Sequence, residues 1–338
     1  MEDFVAATRR RRAVSDEELL IEIRRRYQIL KEVAGERLRR EQVRNIADIL
    51  IDDGLRNPLR NWPREKYHAI QRMSASVLKA GLIGSTEIDP TAIKSAFEGT
   101  RSAPSAELQD SFDRGTLCHT ILLEPETLVD SVAVWKGNVR HGHEWTEFEA
   151  ANRGKLIMRE RDVRGVMQTC RAIRGVRQVN ELLRRQHDTE LVVFGKHGKT
   201  FLRSRLDFVS TDSGPRIIVD IKTDSHGPLD EESCLRTCRR LHYREQLGLY
   251  SYLYREATGI EVEQVFLLFV SLSTSAVRLV RLTTSALQFG LARMTAAIEA
   301  VERCIESNEW PDVFFGESLC DVAEFELGPG VTFDGEDV

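Results

Sequence analysis

The sequence predicts a mixed α/β domain, a central sheet covered by helices and preceded by a helical hairpin. Three observations predict it. Apolar residues in the first half recur at helical spacing. Near residue 190 the period switches from 3.6 to 2, across three apolar runs separated by Gly-containing turns. A helix, two more strands and a last helix follow, an order that suits one sheet with helices packed against it.

Residues 15–34 read as a helix: Ser15 with Glu18 forms a capping-box pattern, and Leu19, Leu20, Ile23, Tyr27 and Leu30 follow helical spacing. A second helix over 36–53 is stopped by Gly54, which completes the hairpin. Asn57-Pro58 and Trp62-Pro63 mark a boundary. The expected organisation is therefore a helical extension at 1–62, a main domain at 63–315 and a loose acidic tail at 316–338. Within the main domain a short helix starts at Ser74 or Ser76 and ends before Gly81. Another runs over 105–123, stopped by Glu124-Pro125, and a long one over 155–185 places Val163, Val166, Met167, Cys170 and Ile173 on one face. Strands at 190–194, 200–209 and 216–223 read as an antiparallel meander. A helix over 232–257, strands at 262–271 and 276–282, and a helix over 284–307 ended by Trp310-Pro311 complete the order.

Composition narrows the function classes. The 338 residues are 41% apolar and 30% charged, a globular balance with ample core. No run of 18 apolar residues suggests a membrane span. Arg9 to Arg12 lack an apolar stretch behind them, so no secretory signal is expected. Six cysteines are too few for a disulfide scaffold and suit reduced thiols in the cytoplasm. The net charge of -5 is uneven, about +7 over 151–250 and about -10 over 251–338. The basic segment suggests an anionic partner such as nucleic acid, while a pI near 6.0 argues against a protein that simply coats DNA.

The chemistry concentrates in Ile217-Ile218-Val219-Asp220-Ile221-Lys222-Thr223. Alternation along a strand puts Asp220 and Lys222 on one face and Val219 and Ile221 on the other. An ordinary ion pair at a strand end would look the same. The preceding strand, however, carries Arg205-Leu206-Asp207, and the turn at Asp212-Ser213-Gly214 brings Asp207 beside Asp220. Two converging carboxylates repel unless a cation sits between them, and oxygen ligands favour Mg²⁺, with Mn²⁺ as a substitute. Glu190 offers a further carboxylate, or else a plain strand-edge charge. Two Asp, a nearby Lys and one further acid are the parts that metal-assisted phosphodiester hydrolysis needs.

Asp207 followed by Asp220-Ile221-Lys222 resembles the core of the PD-(D/E)XK nuclease superfamily. Gly115-Thr116-Leu117-Cys118-His119, Glu190, and Gln246-Leu247-Gly248-Leu249-Tyr250 resemble motifs of its RecB/RecE-type branch. Met73-Ser74-Ala75-Ser76-Val77-Leu78-Lys79 and His119-Thr120-Ile121-Leu122-Leu123-Glu124-Pro125 look like RecE-type (exodeoxyribonuclease VIII) phage exonuclease domains. The resemblance spans about residues 65–312. It implies a restriction-endonuclease-like core and a Mg²⁺-dependent exonuclease that degrades one strand of linear duplex DNA 5′ to 3′. The 3′ single strand left behind would go to an annealing protein in phage-type recombination, and ring-shaped homo-oligomers would hold the DNA. By the same resemblance His119, Asp207, Asp220 and the backbone carbonyl of Ile221 would hold metal. Lys222, Glu190, Gln246 and Tyr250 would act in catalysis.

Each of these residues also has a bland reading. His119 suits a satisfied core histidine, and Tyr250 a core aromatic beside Tyr252 and Tyr254. Arg236, Arg239, Arg240 and Arg244 either line a DNA channel or form a solvated helix face, and Arg203 and Arg205 flank Asp207 as phosphate contacts. Trp135, His141, His143 and Trp145 suggest packing or DNA contact rather than zinc, since no Cys pair lies near. Cys304 and Cys320 are the only cysteines after Tyr250 and are not clustered, unlike the relatives that carry an iron–sulfur cluster, so none is expected. Two rival functions stay open: an endonuclease or structure-specific nuclease on the same fold, and a non-catalytic DNA-binding or partner-recruiting module.

Overall fold

A computed structural model describes residues 57–60, 67, 68, 70, 72–99, 105–137, 139–224 and 229–311. The expected helical hairpin and the acidic tail lie outside these residues.

The chain enters through β1 (Met73–Ser74) and α1 (Ala75–Leu78), which Ser74 caps by accepting from the Val77 amide. A small hairpin, β2 (Leu82–Ile83) and β3 (Glu87–Ile88), leads into α2 (Pro90–Glu98). Asp89 caps α2 through the amides of Thr91 and Ala92, and Gly99 closes it at φ 72. Next come α3 (Ala106–Leu123), capped by Ser105, and the single turn α4 (Leu128–Ser131). Strands β4 (Val132–Trp135) and β5 (Leu156–Arg159) pair in parallel, with α5 (His143–Ala151) between them. Helices α6 (Glu160–Gly175) and α7 (Arg177–Leu183) precede the main sheet.

That sheet contains β6 (His187–His197), β7 (Thr200–Ser210), β8 (Ile217–Asp224), β9 (Gln264–Ser271) and β10 (Val277–Leu282), with β1 at one side. Between β8 and β9 lie α8 (Glu231–Arg240) and α9 (Tyr243–Thr258), and α10 (Thr284–Ser307) closes the described chain. β6 and β7 form a long antiparallel hairpin turned at Gly198, whose φ is 58. Along its other edge β7 pairs first with β1, at Leu202 and Arg203, and later with β8, at Phe208 and Val209. β8 and β9 are parallel, β9 and β10 antiparallel, so the sheet is mixed as expected.

Two cores cover the two faces. One gathers Leu78, Ile93, Leu206, Ile218, Leu247, Leu253, Met294 and Ile298 under α1, α2, α9 and α10. The other gathers Leu117, Leu122, Ile173, Leu182, Phe208, Val219 and Ile221 under α3, α6 and α7. Residues 57–60 belong with the sheet although they precede the expected boundary: Leu59 and Val192 exchange backbone hydrogen bonds at 2.8 and 3.0 Å. Asn57 adds two more to Phe194, which blunts the free edge of β6.

Three expectations need correction. The long helix at 155–185 is β5 followed by two helices that meet at Val176, just after Gly175. The helix at 232–257 is broken at Leu241-His242, where His242 takes φ 52. The strand expected to turn at Gly195 runs on to His197.

Candidate active site

The site forms where β7 and β8 part. Their ladder holds only Phe208↔Val219 and Val209↔Ile218. Continuing that register places Asp207 opposite Asp220, just beyond the last pair. Side-chain alternation also breaks here: Leu202 and Leu206 join the first core, while Phe208 joins the second. On the other side of β7, Thr189↔Phe208 and Leu191↔Leu206 flank Glu190, so Glu190 stands opposite Asp207. Glu190 has φ 48, a left-handed conformation uncommon for a residue with a Cβ.

Asp207 fills the gap left by the parted strands. Its Oδ2 accepts a hydrogen bond from the Ile221 amide at 2.8 Å, in place of a carbonyl from β7. The imidazole of His119 arrives from α3, which lies close to β8: a Cβ on Gly115 would come within 2.8 Å of Thr223 Oγ1. His119 Nε2 lies 3.1 Å from the Ile221 carbonyl, and Nδ1 lies 3.6 Å from Asp207 Oδ2. A carbonyl only accepts, so Nε2 carries the hydrogen there. In neutral His119 the Nδ1 lone pair then faces a carboxylate oxygen. That arrangement calls for a proton or a cation between them.

Ligand atoms of His119, Glu190 and Asp207 lie within 4.8 Å of one another, a group that could hold a metal ion. One imidazole and two carboxylates suit a divalent cation, so the residues present fit the metal implied by the sequence. Glu190 thus takes its place among the candidate ligands. Asp220, expected as a further ligand, is not one of that trio, although Asp207 and His119 are near enough to act on its charge. Its Oδ2 lies 2.7 Å from Lys222 Nζ, and its Oδ1 accepts from Gln246 Nε2 at 3.0 Å. Gln246 Nε2 is also 3.1 Å from the Tyr250 hydroxyl. Both side chains come from α9, four residues apart and on one face, as their spacing predicts.

Burial sets the electrostatics. Asp220 is 2% exposed, and desolvation raises its pKa against the pull of Lys222. Burial works to lower the Lys222 pKa, but the carboxylates of Asp220 and Asp207 outweigh it and hold the ammonium charged, above an ordinary lysine. Burial also pushes up the phenols of Tyr250 and Tyr243. The Tyr243 ring centroid lies 4.7 Å from Lys222 Nζ and 5.1 Å from Lys79 Nζ. Burial, and after it Lys222, lowers the pKa of Lys79 to about 8. Neither Tyr243 nor Lys79 was singled out from sequence. Lys79 sits in the quoted Met73–Lys79 stretch, but nothing local shows that it will meet a glutamine 167 positions away.

The six arginines expected at DNA divide into two groups. Arg236, Arg239 and Arg240 are exposed on α8. Arg240 is near enough to Tyr243 to oppose the rise of its pKa, so this end of α8 borders the site. The other three have partners within the protein: Arg203 is buried, while Arg205 and Arg244 stay partly exposed. Arg203 is 9% exposed, donates to the Tyr67 carbonyl and lies 4.6 Å from the Tyr67 ring centroid. Arg205 pairs with Glu190 at 2.8 Å. Arg244 lies over Phe289 and 3.6 Å from the buried Glu245. In the aromatic cluster Trp135 meets Trp145 and Phe148 at ring distances of 5.4 and 5.1 Å, and its indole donates to the Val139 carbonyl, while His141 and His143 are exposed.

Among the described residues no helix is long and apolar enough to cross a membrane. No curated protein matches the chain. A crystal structure titled "Putative exonuclease", from Eubacterium rectale, is similar to it at 15% identity and a TM-score of 0.52. That match covers 80% of this chain and 99% of the other. At that identity it shows a shared fold. A second structure, titled "Crystal structure of SSO0001", matches at 14% identity and a TM-score of 0.23, covering 54% of this chain and 85% of the other. Residues 90–323 match the family described as "PDDEXK-like domain of unknown function (DUF3799)". The match takes in His119, Glu190, Asp207, Asp220, Lys222, Gln246 and Tyr250, and the chain belongs to that family, within the PD-(D/E)XK nuclease superfamily.

Proposed function

We propose that this protein is a Mg²⁺-dependent deoxyribonuclease that hydrolyses linear duplex DNA from an end. The observation that carries the reading is the convergence of His119, Glu190 and Asp207, within 4.8 Å, beside the buried Asp220–Lys222 pair. A divalent cation bound there would supply Lewis acidity toward a phosphate and toward water. His119 through Nε2 and Asp207 through Oδ2 are hydrogen-bonded to the Ile221 peptide, so the strand itself fixes how they present His119 Nδ1 and the Asp207 carboxylate. Lys222 supplies a positive charge where negative charge develops on the phosphate, and its ammonium is in reach to orient the attacking water. Gln246 donates to Asp220 Oδ1, the oxygen not paired with Lys222, and Tyr250 in turn meets Gln246. The RecE-type resemblance supports 5′ to 3′ polarity, release of a 3′ strand to an annealing protein, and a role in recombination.

Digestion of end-labelled linear duplex and of closed circular duplex, with Mg²⁺ and with chelator, tests the reading. Loss of linear DNA alone, stopped by chelator, is the expected result, and release of a 5′ label before a 3′ label would set the polarity. Equal cutting of the circle would favour an endonuclease. Chelator-resistant binding with no cleavage would favour a binding module.

The exposed arginines of α8 give a second expected result. Arg239→Ala with Arg240→Ala should weaken DNA binding alike for every sequence and lower the log–log salt slope by about 2, roughly one per lost phosphate contact. An unchanged slope would place the DNA path elsewhere.

A further inference from the structure

Lys79 lies in the turn after α1, far in sequence from the site residues. Its Nζ donates to Gln246 Oε1 at 2.7 Å. The opposite end of the same amide donates to Asp220 Oδ1 at 3.0 Å and reaches the Tyr250 hydroxyl at 3.1 Å. A glutamine amide has one accepting and one donating end, an ammonium only donates, and an ionised carboxylate only accepts. With Lys79 on one side and Asp220 on the other, a single orientation satisfies both: oxygen toward Lys79, nitrogen toward Asp220. Tyr250 cannot fix this orientation, because its hydroxyl both donates and accepts. Without Lys79, Oε1 loses its donor and the amide is held at one end only, so Nε2 loses its fixed place against Asp220 Oδ1.

We propose that Lys79 is a positioning residue of this site, which sets the orientation of the Gln246 amide and, through it, the carboxylate of Asp220. The inference rests on the nuclease reading above for its catalytic consequence. Its structural half stands on the hydrogen bonds alone. Contacts one step removed from reacting groups typically change activity 10- to 100-fold when lost. Lys79 acts through Gln246, so its effect should vanish once Gln246 is gone.

The test compares wild type, Lys79→Met, Lys79→Arg, Gln246→Ala and the Lys79→Met/Gln246→Ala double variant on linear duplex, with melting temperatures recorded for each. Lys79→Met should lower kcat by about 10-fold or more with little change in KM. Lys79→Arg, which still donates, should stay much closer to wild type, and serves as the test if Lys79→Met does not fold. The double variant should be no slower than Gln246→Ala. In ¹⁵N-labelled protein the side-chain amide signal of Gln246, identified by its loss in Gln246→Ala, should exchange with solvent at least about 10-fold faster in Lys79→Met, as a lost anchor requires. Multiplying losses in the double variant, a loss carried wholly by KM, or an unchanged amide signal would each overturn the proposal. A folded wild type that cleaves no DNA would overturn the nuclease reading instead, and the amide signal would still decide whether Lys79 orients Gln246.

Discussion

Asp207→Asn is expected to lower the rate of DNA cleavage on the order of 10³-fold or more, with little change in stability. The two halves of that result have different causes. Asparagine has the same shape, and its carbonyl oxygen can still accept the Ile221 amide now held at 2.8 Å, so the junction of β7 and β8 survives. What it loses is the negative charge among the group formed with His119 and Glu190. Single preorganised groups at such charge-stabilising sites contribute about 10²–10³ in rate, and loss of a cation's ligand removes the Lewis acid as well. The stability change should stay below about 0.5 kcal/mol, or roughly 1–2 °C in Tm for a domain of this size. End-labelled digestion alongside thermal melting measures both. A variant that cleaves within a few-fold of wild type would remove Asp207 from the mechanism. One that is inactive only because it has unfolded would return Asp207 to a structural role.

Gly290→Ala should have the largest effect on stability. Gly248 on α9 and Gly290 on α10 meet where the two helices cross. A Cβ on Gly290 would sit 2.2 Å from the Arg244 carbonyl oxygen and 2.7 Å from the Glu245 nitrogen. One on Gly248 would sit 2.5 Å from the Leu287 carbonyl oxygen. These neighbours are backbone and cannot rotate away, so the helices must separate. Overpacking of this kind costs about 1–3 kcal/mol or more, against a gain of about 1 kcal/mol in helix propensity. At the upper end of that cost we expect a net loss of about 2 kcal/mol, or about 4–8 °C in Tm, and a fall in activity because α9 carries Gln246 and Tyr250. Gly165→Ala is the control. Gly165 lies within α6 with no atom within 4 Å of an added Cβ, so the same substitution should be neutral or stabilise by up to about 1 kcal/mol. Equal effects from the two variants would contradict the close helix crossing.

The parts of the fold that were legible in sequence are those with strong local signals. The last helix was expected over 284–307 and runs Thr284–Ser307, with Thr283 as its cap. Ser105 marks the start of α3, and β9 and β10 begin and end within about two residues of expectation. Helix breaks were harder. At Leu241-His242 there is no Gly or Pro, and His242 takes φ 52 while the apolar spacing runs on unbroken. At Val176 the signal was present in Gly175 but is ambiguous inside an apolar pattern. The β4–α5–β5 unit was missed because four-residue strands carry too few residues to show a period.

The candidate site follows the same logic. Asp207, Asp220 and Lys222 come together because neighbouring strands with a short turn fix their register, and Glu190 joins them through the β6–β7 hairpin. His119 arrives by tertiary packing of α3, so only the resemblance placed it in the site. Lys79 and Tyr243 likewise depend on helix packing that no local pattern encodes. The internal partners of Arg203 and Arg244 were illegible for a related reason: a basic residue reads as solvent-facing until its buried partners, the Tyr67 carbonyl and Glu245, are known.

On the reading proposed above, His119, Glu190 and Asp207 form a divalent-cation centre. Calorimetric titration of Mn²⁺ into metal-free wild type and Asp207→Asn tests it most directly. Saturable binding to wild type is expected, weakened at least about 10-fold in the variant in parallel with the loss of cleavage. Equal binding by both proteins, or none by wild type while chelator-treated protein still cleaves DNA, would contradict it.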